Sequence, residues 1–310
     1  MSQPVVTEKG VTMENNITVL IASCDKYEDA WAPFLKLWKI QWPDCPYNFV
    51  LSTETKTCNC DFFPVKTVNS GEGVSWSARL RDALDKIETE FVLFTLEDFF
   101  LTEKVDVELF NQAKKLIEEN PEIGRINFMW ERLGDTYEYK AGEDSYFKPT
   151  HKDNILRTNV VISLWRRDYF KKLLYKDEDP WQYEKNAPMR ARYAGYEIYT
   201  QRYAVSAPIF HYCMNPADGL GITEGKWLNG NKILFEKYGI TDVDFEKIGF
   251  FEKTITYDEI KAKRKQDHLA SLKGIKKIRE KIYNSLRGVK KKIKIKQKLK
   301  NWWYYKTYKE

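Results

Sequence analysis

Residues 91–100 read FVLFTLEDFF, a strand-like run of six residues that ends at two acids. Continuous apolar runs of this length are typical of strands that are buried on both faces, as in parallel sheets. The run therefore delivers Glu97 and Asp98 to the carboxyl end of a strand, which is the edge at which open α/β sheets bind ligands.

Strand and helix patterns alternate on the N-terminal side of this run. Ile17–Ala22 (ITVLIA) predicts a buried strand, and Trp31–Trp38 predicts a helix that stops near Pro43. Further segments follow in the same order, with strands over Tyr47–Leu51 and Phe62–Val68 and a helix over Ser75–Ile87. This alternation predicts a mostly parallel, right-handed α/β sheet. The polar strand ends SCDKYED, LSTET and LEDFF are expected to converge on one crevice.

The pattern is less regular on the C-terminal side. It predicts a helix over Val107–Glu118, strands over Arg125–Trp130 and Val160–Trp165, and a helix over Arg166–Tyr175. Residues 131–155 are polar and have no clear period, and Tyr199–Tyr212 mixes strand-forming residues with Pro208. The sequence leaves the architecture of this half open.

Charge is unevenly distributed along the chain. Of the 310 residues, 51 are Lys or Arg and 45 are Asp or Glu, but residues 261–310 hold 19 of the basic residues and three of the acids. Apolar residues recur every three or four positions from Leu269 to Ile293, and Trp302–Tyr305 are aromatic. This pattern predicts a cationic amphipathic helix on an anionic membrane surface. We expect a disordered leader (1–16), an α/β domain (17–260) and this membrane-associating tail (261–310).

Cysteine usage and hydropathy bear on the compartment. Cysteines 24, 45, 58, 60 and 213 are odd in number and lack paired spacing, which argues against a disulfide framework or a structural zinc site. No apolar run approaches the roughly 20 residues that cross a bilayer, and the first residues lack the pattern of a signal peptide. We expect a cytoplasmic protein that is peripheral on the inner face of the cell membrane.

Five segments together resemble a known family. They are ASCDKYEDAW (22–31), WPDCPY (42–47), WSARL (76–80), TEFVLFTLEDFFL (89–101) and DPWQYE (179–184). The combination resembles bacterial glycosyltransferases of capsule or lipopolysaccharide assembly and covers residues 17–215. The resemblance implies a GT-A type nucleotide-sugar-binding fold with a mostly parallel central sheet, followed here by the basic helical tail.

The resemblance implies catalytic roles for the two acids. Similar enzymes carry an Asp-x-Asp motif that holds a divalent cation, Mn²⁺ or Mg²⁺, on the donor diphosphate. Here Glu97 and Asp98 are adjacent, and successive side chains of an extended chain point in opposite directions, so both reach one ion only if the backbone turns. We assign Asp98 to the donor or metal and Glu97 to the acceptor or to structure. Alternatively, the pair caps the next helix or is solvated.

The implied donor site surrounds the end of the first strand. Its residues are Ala22, Ser23, Cys24, Asp25, Thr53, Trp76 and Arg79, with assistance from Glu54. Asp25 would bond the base or ribose, or else would cap the helix that follows. Arg79 would reach the diphosphate through its planar guanidinium, or else would lie on the surface beside Asp82.

An inverting transfer needs a general base, and the candidates are the acids of DEDPWQYEK: Asp177, Glu178, Asp179 and Glu184. We choose Glu184 because it follows Trp181 and Tyr183, which would stack on the acceptor sugar and partly desolvate the carboxylate. Arg190 would counter acceptor or phosphate charge. The alternative is an acidic loop that flanks a helix.

His211 is the remaining candidate, as a metal ligand or phosphate contact from the second half of the chain. Alternatively, it is a structural histidine.

The sequence therefore predicts a hexosyltransferase that moves a sugar from a nucleotide-sugar donor, expected to be UDP-linked, to a hydroxyl of a lipid-linked or surface-polysaccharide glycan. Its expected partners are this donor, the acceptor and the anionic membrane surface, no nucleic acid is expected, and self-association into a homo-oligomer is open. Two alternatives remain. One is a nucleic-acid-binding or scaffold protein that acts through its basic tail, and the other is a glycoside hydrolase that uses Glu97 and Glu184.

Overall fold

The computed structural model describes residues 16–128, 146–175, 177–202, 206–212 and 219–251. The predicted tail (261–310), the predicted leader apart from Asn16, and the end of the strand predicted over Arg125–Trp130 lie outside these residues. The leader and the membrane-associating tail therefore stay predictions.

Strands and helices alternate along the larger part of the described chain. The strands of the main sheet are β1 (Ile17–Ala22), β2 (Asn48–Thr53), β3 (Val65–Asn69), β4 (Phe91–Leu96), β5 (Ile123–Asn127), β6 (Phe147–Pro149), β7 (Ser163–Arg166) and β8 (Glu197–Gln201). A 3-10 helix (Asp25–Ala30) follows β1. The α-helices are α1 (Trp31–Gln41), α2 (Trp76–Asp85), α3 (Val107–Glu119), α4 (Arg167–Leu173), α5 (Pro180–Tyr193) and α6 (Gly230–Lys237).

In the described residues these eight strands form one sheet in the order β3-β2-β1-β4-β7-β5-β8-β6. β7 and β6 are antiparallel to their neighbours, and the other strands all run in one direction. The mixed α/β class with a large, mostly parallel sheet is therefore confirmed. Successive strands leave β1 on opposite sides, β2 on one and β4 on the other, so a topological switch point opens at the carboxyl ends of β1 and β4.

Apolar side chains cover both faces of this sheet. One face packs on α2, α4 and α5 through a cluster that includes Leu20, Phe94, Leu80 and Phe170. On the other face aromatic rings pack edge-to-face or tilted around α1 and α3, in a connected cluster of Trp38, Trp42, Phe49, Phe110 and Phe210. Because both faces are covered, β1 and β4 need the continuous apolar runs that their sequences show.

The described residues fall into two compact units. The larger contains the main sheet and residues 232–247, and the smaller contains residues 219–231 and 248–251. In the smaller unit β9 (Ile222–Thr223) and β10 (Lys226–Trp227) form an antiparallel pair. The amide of Gly221 donates to Asn231, whose own side-chain amide donates back to the Gly221 carbonyl.

The predicted elements agree best where the apolar runs are continuous. β1 and β4 begin and end where the sequence predicted. The strand predicted from Val160 begins at Ser163 instead, because the residues before it turn so that their carbonyls accept hydrogen bonds from the buried guanidinium of Arg125. β6 was missed, since its three residues are too short to show a period.

None of the helices in the described ranges combines the length and apolar character needed to cross a bilayer.

Gly124 in β5 provides a test of the packing between the sheet and α4. A Cβ atom at this position would lie 2.3 Å from Cδ1 of Tyr169 and 2.8 Å from Cβ of Tyr196. We expect Gly124→Ala to lower the free energy of unfolding by about 1–3 kcal/mol through overpacking, measured by urea denaturation. In a Tyr169→Ala background the same change should cost clearly less, and an equal cost in both backgrounds would contradict the steric explanation.

Candidate functional site

The candidate site lies where β1 and β4 end side by side. The strands pair in parallel with Ala22 opposite Leu96, so Ser23 and Glu97 leave the sheet next to each other. β2 ends on the other side of β1, with Ser52 opposite Ala22. The three predicted strand ends thus meet at one edge, which confirms the expected convergence.

Ser23 and Cys24 lead from β1 into the 3-10 helix. The Ser23 amide donates to the Ser52 carbonyl, and its hydroxyl accepts a 2.7 Å hydrogen bond from Nε1 of the buried Trp31. Burial, followed by the charges of Glu97 and Glu54, raises the pKa of the Cys24 thiol to about 11. The thiol is therefore neutral at physiological pH and serves as a small, uncharged wall of the site.

The carboxylate of Asp25 ties the end of β1 to the loop after β2. Its oxygens accept hydrogen bonds from the hydroxyls of Thr53 and Thr55 and from the backbone amides of residues 54–56. Burial raises the pKa of Asp25, but these hydrogen bonds outweigh it and hold the pKa well below the ordinary value. The helix-cap alternative is wrong, because Cys24 occupies the cap position. Binding of a base or ribose by Asp25 stays a prediction, as does a donor contact by Thr53.

Arg79 extends from the first turn of α2 toward the same strand ends. Its guanidinium lies 3.0 Å from Oε1 of Glu54 and donates to the carbonyls of Val74 and Ser23. Only 8% of the residue is exposed. The alternative of a surface arginine beside Asp82 is therefore wrong, because Asp82 pairs with Lys86 instead.

Glu54 is the residue of this network that the sequence underrated. One carboxylate oxygen pairs with Arg79, and the other accepts the backbone amide of Asp25. Glu54 thereby joins the ends of β1 and β2 to α2. Its position directly after a predicted strand was visible in the sequence, but its partner on a distant helix was not.

The loop before α2 also escaped the sequence analysis. Gly71 and Gly73 both have positive φ, at 98° and 75°, and Ser75 caps α2 by accepting the amide of Ala78. The amides of Ser70 and Gly71 donate to the carbonyls of Thr53 and Glu54. The start of α2 therefore lies at the carboxyl edge of the sheet, and the signal that could have shown it is the spacing SGEGVS before a helical pattern.

Glu97 and Asp98 differ sharply in environment. Glu97 is 6% exposed, whereas Asp98 is half-buried. Burial, then the charge of Asp98, raises the pKa of Glu97 well above 4.5, although Arg79 opposes the shift. The buried carboxyl therefore holds its proton to a higher pH than an ordinary glutamate and, while protonated, can donate a hydrogen bond. The proposed inequality of the two acids is thus present in the structure, while their roles toward donor and acceptor stay predictions.

The residues predicted to bind the acceptor all lie on α5, but on different faces of the helix. Trp181 is 69% exposed, but Tyr183 is 1% exposed and packs against Trp76 at a ring distance of 5.4 Å. Tyr183 therefore belongs to the core and offers no face to a sugar, which corrects its predicted stacking role. Trp76 is 9% exposed and belongs to the same core cluster, which corrects its predicted place in the donor site.

Arg190 forms a buried ion pair with Glu178. Its two terminal nitrogens lie 2.9 and 2.6 Å from the two carboxylate oxygens, and Asn186 donates to Oε1 of Glu178 as well. Releasing Arg190 to an acceptor would leave Glu178 buried without its counter-charge, which is costly. The predicted contact of Arg190 with acceptor charge is therefore corrected to a structural role in α5.

Glu184 lies at the edge of the sheet that carries the site. Its Oε1 accepts a 2.7 Å hydrogen bond from the amide of Val160. Val160 comes just before β7, in which Ser163 pairs with Phe94 of β4. Glu184 is thus near the end of β4, and its role as general base stays a prediction.

His211 lies beside the segment that follows Glu97 and Asp98. Its carbonyl accepts the amide of Thr102, and its Nδ1 lies 3.5 Å from Glu103. In the described part of the chain no three His, Cys, Asp or Glu side chains are placed to hold a metal ion together. Asp98 and His211 therefore form no three-ligand centre with another described side chain, and a cation held by the donor diphosphate with Asp98 or His211 stays a prediction.

Comparison with known proteins gives weak similarity. No family model and no curated protein sequence matches the chain. Among solved structures it is similar to TarS of S. aureus, with a TM-score of 0.42, 13% identity, and coverage of 75% of this chain and 41% of that one. It is also similar to CMP:2-keto-3-deoxy-manno-octonic acid synthetase complexed with CTP (TM-score 0.38, 14% identity, 72% of this chain and 97% of that one).

A third similar structure is glucosyl-3-phosphoglycerate synthase from Mycobacterium tuberculosis in complex with Mn²⁺, UDP and phosphoglyceric acid, at a TM-score of 0.37 and 11% identity over 60% of this chain and 67% of that one. The chain thus spans less than half of the TarS chain. Similarity at these scores carries no argument about activity, so the functional argument comes from the site itself.

The protonation of Glu97 makes the stability of the fold depend on pH. The folded state keeps a proton that the unfolded state loses above the ordinary pKa of 4.5, so stability should fall as the pH rises from 4.5 toward the raised folded-state pKa. Glu97→Gln removes this loss, with a gain of about 1.4 kcal/mol for each unit of pKa elevation. Urea unfolding at pH 5 and pH 8 measures it, with the exposed Glu88→Gln as control. Parallel pH profiles for wild type and Glu97→Gln would contradict a neutral Glu97.

Proposed function

We propose that the chain is a glycosyltransferase that takes a sugar from a nucleotide-sugar donor and passes it to an acceptor hydroxyl. The observation that carries the proposal is the convergence of the buried guanidinium of Arg79, the buried carboxyl of Glu97, whose pKa is raised, and the half-buried Asp98 at the switch point between β1 and β4. Such a crevice is the usual ligand site of an open α/β sheet.

The donor diphosphate would bind between Arg79 and the start of α2. A helix N-terminus favours anions, and the glycines at 71 and 73 keep side chains away from the backbone there. Arg79 is already paired with Glu54, so its charge is partly balanced before the donor arrives. The expected effect of Glu54 is to hold the guanidinium in place, because a planar group in a fixed position recognises phosphate best.

Glu97 and Asp98 would divide the remaining work. A neutral Glu97 can donate a hydrogen bond to a sugar or phosphate oxygen, which an ionised carboxylate cannot do. Asp98 is the more exposed of the two and supplies the negative charge that can accept a proton or contact the sugar. Glu184 remains the proposed general base toward the acceptor. No step is assigned to a divalent cation, although a cation bound to the diphosphate was expected from the sequence.

The finer parts of the proposal come from the sequence resemblance. They are the GT-A type of the fold, a UDP-linked hexose as donor, and a lipid-linked or surface-polysaccharide glycan of bacterial capsule or lipopolysaccharide assembly as acceptor. The place on the inner face of the cell membrane comes instead from the cationic amphipathic pattern of residues 261–310. Only membrane association is assigned to the basic tail, so the proposed transfer reaction does not depend on it.

One observation favours the hydrolase alternative. A buried carboxyl with a raised pKa, such as Glu97, is also what a glycosidase uses as general acid, and Glu184 would then be the second carboxylate. Release of free sugar from a glycan without any nucleotide sugar would favour this alternative over transfer.

The proposal is tested by incubating the full chain with UDP-, GDP-, CMP- and dTDP-sugars and measuring binding by calorimetry and slow donor hydrolysis by chromatography. Binding of at least one nucleotide sugar in the micromolar to millimolar range is expected. Folded protein that binds and hydrolyses none of them would rule out the proposed function.

Replacement of Asp98 by Asn provides the sharper test. The change removes a negative charge and a proton acceptor at nearly constant shape, so turnover of the best donor should fall about 10²–10⁴-fold while thermal unfolding changes little. Asp44→Asn, at an exposed position before β2, is the matched control and should keep full turnover. Full activity of Asp98→Asn would remove this residue from the reaction.

A further inference from the structure

Trp181 is an exposed aromatic ring at the start of α5. It is 69% exposed, whereas Tyr183, Ala187 and Ala191 on the other side of the helix are at most 1% exposed. Because residues three apart share a helix face, Trp181 lies on the same side as Glu184. The ring therefore points away from the core, on the face that carries the proposed base.

The start of α5 is held in a fixed place beside the start of α2. The amide of Ser77 donates to the carbonyl of Glu178, and the amide of Glu178 donates to the hydroxyl of Ser77. Asp179 and Gln182 form a reciprocal capping box, and an ion pair joins Glu178, just before α5, to Arg190 in the last turn of the helix. The backbone under Trp181 is therefore rigid, although its ring is open to solvent.

The helix turn that carries Trp181 also lies on the side of the proposed reaction centre. Glu184, three residues on and about 4.5 Å along the helix axis, contacts the amide of Val160 at the start of the segment that leads into β7. β7 pairs with β4 two residues before Leu96. The first turns of α5, which carry Trp181 and Glu184, thus lie on the side of the sheet where β4 ends.

The surroundings of the ring indicate what it binds. Its exposed neighbours are the N-cap residue Asp179 and, on α5, Gln182 and Lys185, which are polar or charged. A protein or lipid partner would need a contiguous apolar patch, which a single ring among polar side chains does not provide. A pyranose ring combines an apolar C–H face with a rim of hydroxyls, and an aromatic ring flanked by hydrogen-bonding groups matches both.

We infer that Trp181 is the platform of an acceptor subsite, on which a pyranose ring of a saccharide acceptor stacks with its hydroxyls directed toward Glu184 and Asp98. The inference rests on the proposed function for the reaction, but binding of the saccharide to Trp181 does not require a donor. Tyr183 and Arg190 support the platform from inside and do not touch the sugar.

The test measures saccharide binding and donor use separately. The full chain, Trp181→Ala, Trp181→Phe and the control Tyr193→Ala are applied to an array of gluco-, galacto- and N-acetylhexosamine oligosaccharides. Tyr193 is an exposed aromatic at the far end of α5, about 18 Å from Trp181 along the helix. We expect Trp181→Ala to weaken binding of the best oligosaccharide about tenfold, or about 1.4 kcal/mol, while Trp181→Phe and Tyr193→Ala bind nearly as the wild type.

Two outcomes would overturn the inference: no oligosaccharide binds the wild-type chain, or Trp181→Ala binds as tightly as Tyr193→Ala. Hydrolysis of the nucleotide sugar with water as acceptor should be equal in the wild type and in the Tyr193→Ala control. If the wild type hydrolyses no donor but binds saccharide in a Trp181-dependent way, the proposed function is wrong and the saccharide site at Trp181 is still supported. If the wild type hydrolyses a donor but its saccharide binding does not depend on Trp181, the saccharide site at Trp181 is wrong and the proposed function is still supported.

Discussion

The parallel pairing of β1 with β4 is the constraint on which the site depends. All six residues of β1 are buried, and they pair in register with β4 from Ile17 opposite Phe91 to Ala22 opposite Leu96. A slip of one residue would exchange the side chains that pack against the two layers of the core, so close packing on both faces fixes the register. The core thereby decides that Ser23 and Glu97 leave the sheet together, and the chemistry of the crevice follows from packing several residues away.

A second layer of polar contacts then fixes the loops that packing leaves free. Asp25 accepts hydrogen bonds from the loop after β2, Glu54 accepts the amide of Asp25, and Arg79 of α2 pairs with Glu54. In this set of contacts Glu54 is paired with Arg79, and the carboxylate oxygens of Asp25 all accept hydrogen bonds, as buried polar groups require. The result is a crevice wall that is arranged before any ligand binds, and such preorganisation lowers the entropic cost of binding.

The parts of the molecule that the sequence predicted well are those with a one-dimensional signal. Apolar runs predicted the exact bounds of β1 and β4, and polar residues after the strands predicted which edge of the sheet the strand ends share. The errors lie where a side chain has a partner far away in sequence. Tyr183 and Arg190 follow the acidic loop in sequence, but helical periodicity turns Tyr183 inward and a carboxylate 12 residues away pairs with Arg190. Arg79 was separated from Glu54 by 25 positions, so only the fold could show that they form a pair.

The adjacent acids at the end of β4 show why a departure from a familiar spacing need not remove function. Two neighbouring carboxylates at a dry strand end cannot both be ionised at low cost, because each raises the pKa of the other and burial adds to the effect. Burial and the charge of Asp98 raise the pKa of Glu97, on the buried side, whereas Asp98 lies on the more open side. An alternating pair of acids would put both carboxylates on one face, where a cation could balance them. The adjacent pair instead provides one buried and one more exposed carboxyl, an arrangement that suits recognition of a sugar hydroxyl.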